Sequence, residues 1–71
     1  MKEFPVYMDE CNGTKIMILQ NRDVFTWDVY FKRVNFPYKY VFGLSCDDCP
    51  LEDAFEIAMS NIPQYDDLFE D

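Results

Sequence analysis

Cys46-Asp47-Asp48-Cys49 sets two thiols at the C-x-x-C spacing, and behind it runs a series of carboxylates unbroken by any cation. The thiol pair admits three chemistries. As half of a zinc site it needs two more ligands, and a chain without histidine offers only Cys11 and a carboxylate. As a redox centre it stands at a helix start, where the dipole lowers a thiol pKa. The two aspartates between the thiols act in the opposite sense, and the βαβ setting of that motif is missing. As packing thiols they need nothing further, and this is the reading we adopt: no metal and no cofactor is expected.

The carboxylates are Asp47, Asp48, Glu52, Asp53, Glu56, Asp66, Asp67, Glu70 and Asp71. Residues 1–45 carry six cations against five anions and sum to +1, so the formal charge of −8 comes from −9 in residues 46–71. Charge of one sign acts on partners and encounter rates more than on fold, and this asymmetry points to a basic partner. A solvated helix face usually mixes both signs and gains i,i+4 pairs, whereas this one accepts self-repulsion. Carboxylates four apart on a helix lie about 6 Å from one another, comparable to successive phosphates of a nucleic-acid strand. Three uses stay open on residues alone: a merely solvated end, an imitation of nucleic-acid phosphates, and docking on another basic protein surface. The nine residues are the candidate partner contacts.

Catalysis has no foothold. There is no histidine, no glycine-rich phosphate loop and no nucleophile motif, and carboxylate pairs in so acidic a chain are uninformative, so no catalytic residue is assigned and no enzyme is expected. Direct nucleic-acid binding is disfavoured by the net charge, and most aromatic residues alternate as core residues do. Tyr7, Tyr30 and Val41 fall on the other phase and could line a second, protein-binding face. No apolar run approaches the ~18 residues of a membrane span, and the first residues lack an apolar signal region. An intracellular address, a bacterial cytoplasm, is the expectation.

Elements must position these groups, and 71 residues make a single domain, 1–71. Its core has to come from thirteen aromatic residues rather than from disulfides, since three cysteines and no histidine leave little else to staple it. Phe4, Val6 and Met8 alternate with Pro5, Tyr7 and Asp9 as an edge strand, because Pro5 cannot donate to a ladder. Asn12-Gly13 predicts a tight hairpin into Lys15–Gln20, whose continuous apolar stretch asks for a central place. After a turn at Asn21-Arg22-Asp23, Phe25, Trp27, Val29 and Phe31 alternate as core, with Trp27 expected to be buried under the helix. A turn at Val34–Pro37 leads to Tyr38, Tyr40, Phe42 and Leu44 on one face. Leu51, Ala54, Phe55, Ala58, Met59 and Ile62 then recur at helical spacing, with Pro50 in the first turn and Pro63 as the stop. Tyr65, Leu68 and Phe69 predict a short C-terminal helical turn. The expected fold is α+β: a four-stranded antiparallel meander over residues 1–45, packed by one helix of an acidic 46–71 region.

In size, in the acidity of residues 46–71 and in this sheet-plus-helix plan the chain resembles the small acidic proteins that bacteriophages make against host machinery. Those include anti-CRISPR proteins, DNA mimics that block restriction or repair enzymes, and inhibitors of host RNA polymerase. The resemblance implies a non-enzymatic viral inhibitor that covers the basic nucleic-acid-binding surface of a bacterial defence or nucleic-acid-processing enzyme, such as a nuclease, CRISPR effector or polymerase. A second likeness lies in Leu51-Glu52-Asp53-Ala54, which is similar to the helix-opening segment of HicB-type antitoxins. It implies an interaction module that binds through its sheet face.

Overall fold

A computed structural model describes residues 3–70 and the side chains of residues 7–70. Four strands, β1 Glu3–Cys11, β2 Thr14–Asn21, β3 Thr26–Lys32 and β4 Lys39–Ser45, precede a helix α1, Leu51–Asn61, which passes directly into a 3-10 segment, Ile62–Phe69. The strands pair antiparallel in chain order to form one open sheet, so the architecture is ββββα of the α+β class. Among the described residues no helix is long and apolar enough to cross a membrane.

Local chemistry sets the joints. Asn12 and Gly13 both take positive φ, +50° and +86°, the pair of left-handed positions a two-residue hairpin requires. β2, with its unbroken apolar run, is central, and Ile16 and Ile18 are fully buried with Val29 and Phe31 of β3. Those four residues meet Ala54 and Ala58, the buried stripe of α1. Alanine at both positions lets the helix axis approach the sheet closely, which is why small residues stand where the sequence spacing calls for core. Pro50 precedes the first turn with an extended backbone rather than sitting inside it.

Four further expectations need correction. The first concerns β1: a bulge between Pro5 and Tyr7 shifts its alternation by one residue, so Tyr7, opposite Ile18, turns to the helix side, its ring centroid 4.6 Å from that of Phe55. Met8 is left on the uncovered face, 59% exposed. A one-residue slip moves every following side chain to the other face. The second is the same event in β4, where Val29 pairs Phe42 but Tyr30 pairs Tyr40. The extra residue, Val41, packs against the core, and Tyr40 joins Tyr30 on the open face with ring centroids 5.6 Å apart. Third, Phe25 is not in a strand. It closes a four-residue turn at φ +56° with its side chain 46% exposed, and its carbonyl accepts the Cys46 amide at 3.1 Å. Fourth, Trp27 lies on the helix side but only half buried, beneath the connection to α1, where its Nε1 donates to the Cys49 carbonyl at 2.7 Å. The α-helix ends at Asn61, just before Pro63 as expected, and the short C-terminal helical turn follows without a break. A proline at the start of a helical turn forfeits no bond, so the chain tightens into 3-10 geometry with a kink at Tyr65.

Candidate functional site

The acidic residues divide into two groups with different surroundings. Asp47 and Asp48 lie in the turn after β4, and Glu52, Asp53 and Glu56 occupy the first half of α1; all five are exposed. Glu52 and Asp53 stand in the first turn, where the unpaired amides of the helix favour negative charge by a few tenths of a kcal/mol each. Glu52 and Glu56, one turn apart, repel by a similar amount. None of the described cations forms an ion pair with this group. Beside it, α1 and β1 enclose a shallow concavity of about 370 Å³. Its floor is Tyr7, Leu51, Phe55 and Met59, and Glu52 and Glu56 stand at its rim.

The second group is held differently. Asp66 meets Arg33 of the β3–β4 connection at 2.5 Å, while the same guanidinium donates through Nε to Thr14 Oγ1 at 3.0 Å and lies 5.1 Å from the centre of the Phe69 ring. Lys39 donates to the Leu68 carbonyl at 2.5 Å, with its ammonium 5.0 Å and 5.4 Å from the Phe36 and Phe69 rings. Phe69 is the buried residue of this segment and packs edge-on against Phe36. Asp67 and Glu70 are exposed, and Asp71 lies outside the described residues. The acidic tail therefore carries two cations that the linear sequence places 27 or more residues away. Sequence spacing gave no sign of Arg33 and Lys39 here, because the contact is tertiary and neither residue belongs to a local motif.

The third thiol is not brought to the C-x-x-C pair. Cys46 and Cys49 sit near Gln20 and Trp27, whereas Cys11 pairs with Thr14 at the opposite end of β2, six residues or about 20 Å away. All three are free thiols. Burial raises the pKa of Cys46 and of Cys49, and neighbouring carboxylates add to it: Asp47 and Asp28 at Cys46, Asp53 and Asp48 at Cys49. Gln20, hydrogen-bonded to Cys46, acts in the other direction without reversing the shift. Both shifts favour the protonated thiol over the thiolate, the form that attacks disulfides and binds metal. Among the described residues no three Cys, Asp or Glu side chains converge to hold a metal ion.

What remains is a charged surface of five exposed carboxylates, two in the turn before α1 and three in its first half, with the helix packed on the sheet through Ala54 and Ala58. The chain matches no protein-family model, no curated protein and no solved structure, so the reading of this surface rests on its own geometry.

Proposed function

We propose that the protein is a non-enzymatic inhibitor, of the kind bacteriophages direct at their hosts, that occupies the basic nucleic-acid-binding surface of a bacterial enzyme. The observation that carries this reading is that no described cation is paired with Asp47, Asp48, Glu52, Asp53 and Glu56, although Arg33 and Lys39 are used elsewhere in the same small molecule. An anionic surface left uncompensated on a rigid helix raises the association rate with a basic target and steers its orientation. The adjoining concavity suits an arginine or lysine of that target: its aliphatic stem lies over Phe55 and Met59 while its head meets Glu52 and Glu56. Asp66, Asp67, Glu70 and Asp71 belong to the same proposal as an outer rim, with Asp66 already shared with Arg33.

The test is capture from a bacterial lysate at low salt, identification of the partner by mass, and competition with that partner's own nucleic acid. The proposal requires mutual exclusion. It also requires that Glu52→Gln, Asp53→Asn and Glu56→Gln together slow association, and that binding weaken as the Debye length shrinks from ~10 Å at 0.1 M salt to ~3 Å at 1 M. Simultaneous binding of protein and nucleic acid to the target, or unchanged affinity of the neutralised variant at low salt, would dismiss it.

A further inference from the structure

One face of the sheet is covered by α1 and the 3-10 segment; no element among the described residues covers the other. Across the middle of that open face runs an apolar row, Met8 of β1, Met17 of β2, Tyr30 of β3 and Tyr40 of β4, each paired with the next in register. Met8 and Tyr40, at its two ends, are 59% and 55% exposed. A continuous apolar band on one side of a small acidic protein is a contact surface rather than an incidental exposure.

The charges around the row identify what it fits. Two residues along the strands in one direction stand Lys15 and Lys32, paired across β2 and β3, with Glu10 beside Lys15. Two residues in the other direction stand Leu19 and Asp28, also paired. Among the described side chains, the four charges nearest the row, Lys15, Lys32, Glu10 and Asp28, balance one another in a chain of formal charge −8, so the centre of the face escapes much of the repulsion that the rest of the molecule would impose on a second copy. Their placement is also self-complementary. A two-fold axis laid along the Met8–Tyr40 row turns the second sheet over and reverses its strands. It sets Lys32 of each copy over Asp28 of the other and the stem of Lys15 over the facing Leu19. Sheets packed face to face sit about 10 Å apart, a span that a lysine and an aspartate bridge together. Asp28 keeps acceptor capacity for this, since among the described residues it receives the Thr26 hydroxyl at 2.9 Å and the Asn21 amide at 3.4 Å and no third donor.

We propose that the open sheet face is a homodimer interface: two copies pack Met8, Met17, Tyr30 and Tyr40 against their equivalents, with reciprocal Lys32–Asp28 pairs flanking the row. This inference is independent of the acidic-helix reading, because α1 lies on the far side of the sheet and a dimer presents two acidic surfaces pointing away from each other. Four strands about 4.8 Å apart and seven residues of about 3.4 Å give a footprint of ~450 Å² per copy. The pair thus buries on the order of 900 Å², below the ~1,200–2,000 Å² of stable complexes, so the dimer is weak and concentration-dependent.

Sedimentation equilibrium of the whole chain from ~5 μM to ~1 mM tests this, the range that brackets a dissociation constant of ~10–100 μM. The mass should climb from 8.5 kDa toward twice that value. Tyr40→Lys, at a half-exposed position the fold does not need, should raise the dissociation constant at least ~10-fold by placing like charges in the apolar row. Lys32→Asp and Asp28→Lys should each weaken self-association, yet an equimolar mixture of the two variants should associate more tightly than either alone. Only a reciprocal 32–28 contact gives that result, and circular dichroism of each variant verifies that it is folded. A single species of 8.5 kDa over the whole range overturns the proposal. So does a dimer that survives Tyr40→Lys, which would mean pairing through the β4 edge, or a mixture with no preference for the heterodimer.

Discussion

The acidic start of α1 and the acidic tail have nearly the same composition, but among the described residues only the tail is answered by cations. Asp66 has Arg33, and Lys39 closes on the Leu68 carbonyl and the Phe69 ring, while Asp47, Asp48, Glu52, Asp53 and Glu56 have no such partner among the described cations. The difference shows that one run of carboxylates can serve two ends. In the tail, charge assists docking of an aromatic residue; on the helix, charge is left available, and the fold is held from beneath by Ala54 and Ala58.

The sharpest way to break that contrast is to remove the tail's anchor. Phe69→Ala deletes the ring that Phe36, Arg33 and Lys39 all contact and should cost about 3 kcal/mol, within the usual range for a buried phenylalanine. At about 4–8 °C per kcal/mol for a chain of this size, thermal unfolding would record a fall of well over ten degrees. Leu68→Ala, one residue away and exposed, should change the midpoint by only a degree or two. Arg33→Gln comes next, at about 1–2 kcal/mol by urea titration. The exposed ion pair contributes little of that; most comes from leaving the buried Thr14 hydroxyl without its partner.

Neutralising Glu52, Asp53 and Glu56 should leave stability within about 0.5 kcal/mol of the parent, since lost attraction to the helix amides is offset by relieved repulsion. A loss as large as that of Arg33→Gln would show that the helix group is structural after all. The smallest effect is alkaline. Cys46 and Cys49 have folded-state pKa values raised by burial, so as pH climbs past about 8.5 the unfolded chain releases their protons first and stability declines through the folded values. Tyr7 and Tyr40, raised from 10.0 chiefly by desolvation, extend that decline above pH 10. Cys46→Ser with Cys49→Ala should flatten the urea midpoint between pH 8.5 and 10; an unchanged slope would refute the assignment.

Much of the fold was readable along the chain because the strands pair in sequence order. A continuous apolar run placed β2, alternation placed β3, Asn12-Gly13 marked its own turn, and the three-and-four spacing placed α1. The errors came where one residue is added or turned. The bulges in β1 and β4 exchanged the faces of Tyr7, Tyr40 and Val41, and nothing in those local sequences distinguishes a regular strand from one carrying an extra residue. Phe25 broke the pattern because a bulky residue with positive φ is the last place a sequence argument looks for a turn. For the candidate site, the carboxylates were legible as a composition shift. Their division into compensated and free groups was not, since it depends on Arg33 and Lys39 arriving from the other side of the core.

The chain-order pairing of the sheet also bears on how the molecule forms. Each strand finds its partner within one turn of leaving the preceding strand, so loop closure is short at every step and contact order stays low for a β-rich domain. The hairpin at Asn12-Gly13 can form first and the meander can add one strand at a time. The sheet nevertheless has no cover until α1 arrives, and Phe31 and Phe42 stay wet until Tyr65 is laid over them. Fast early pairing followed by late closure makes the half-built sheet the species most prone to aggregate. Refolding yield should therefore fall with protein concentration before stability does.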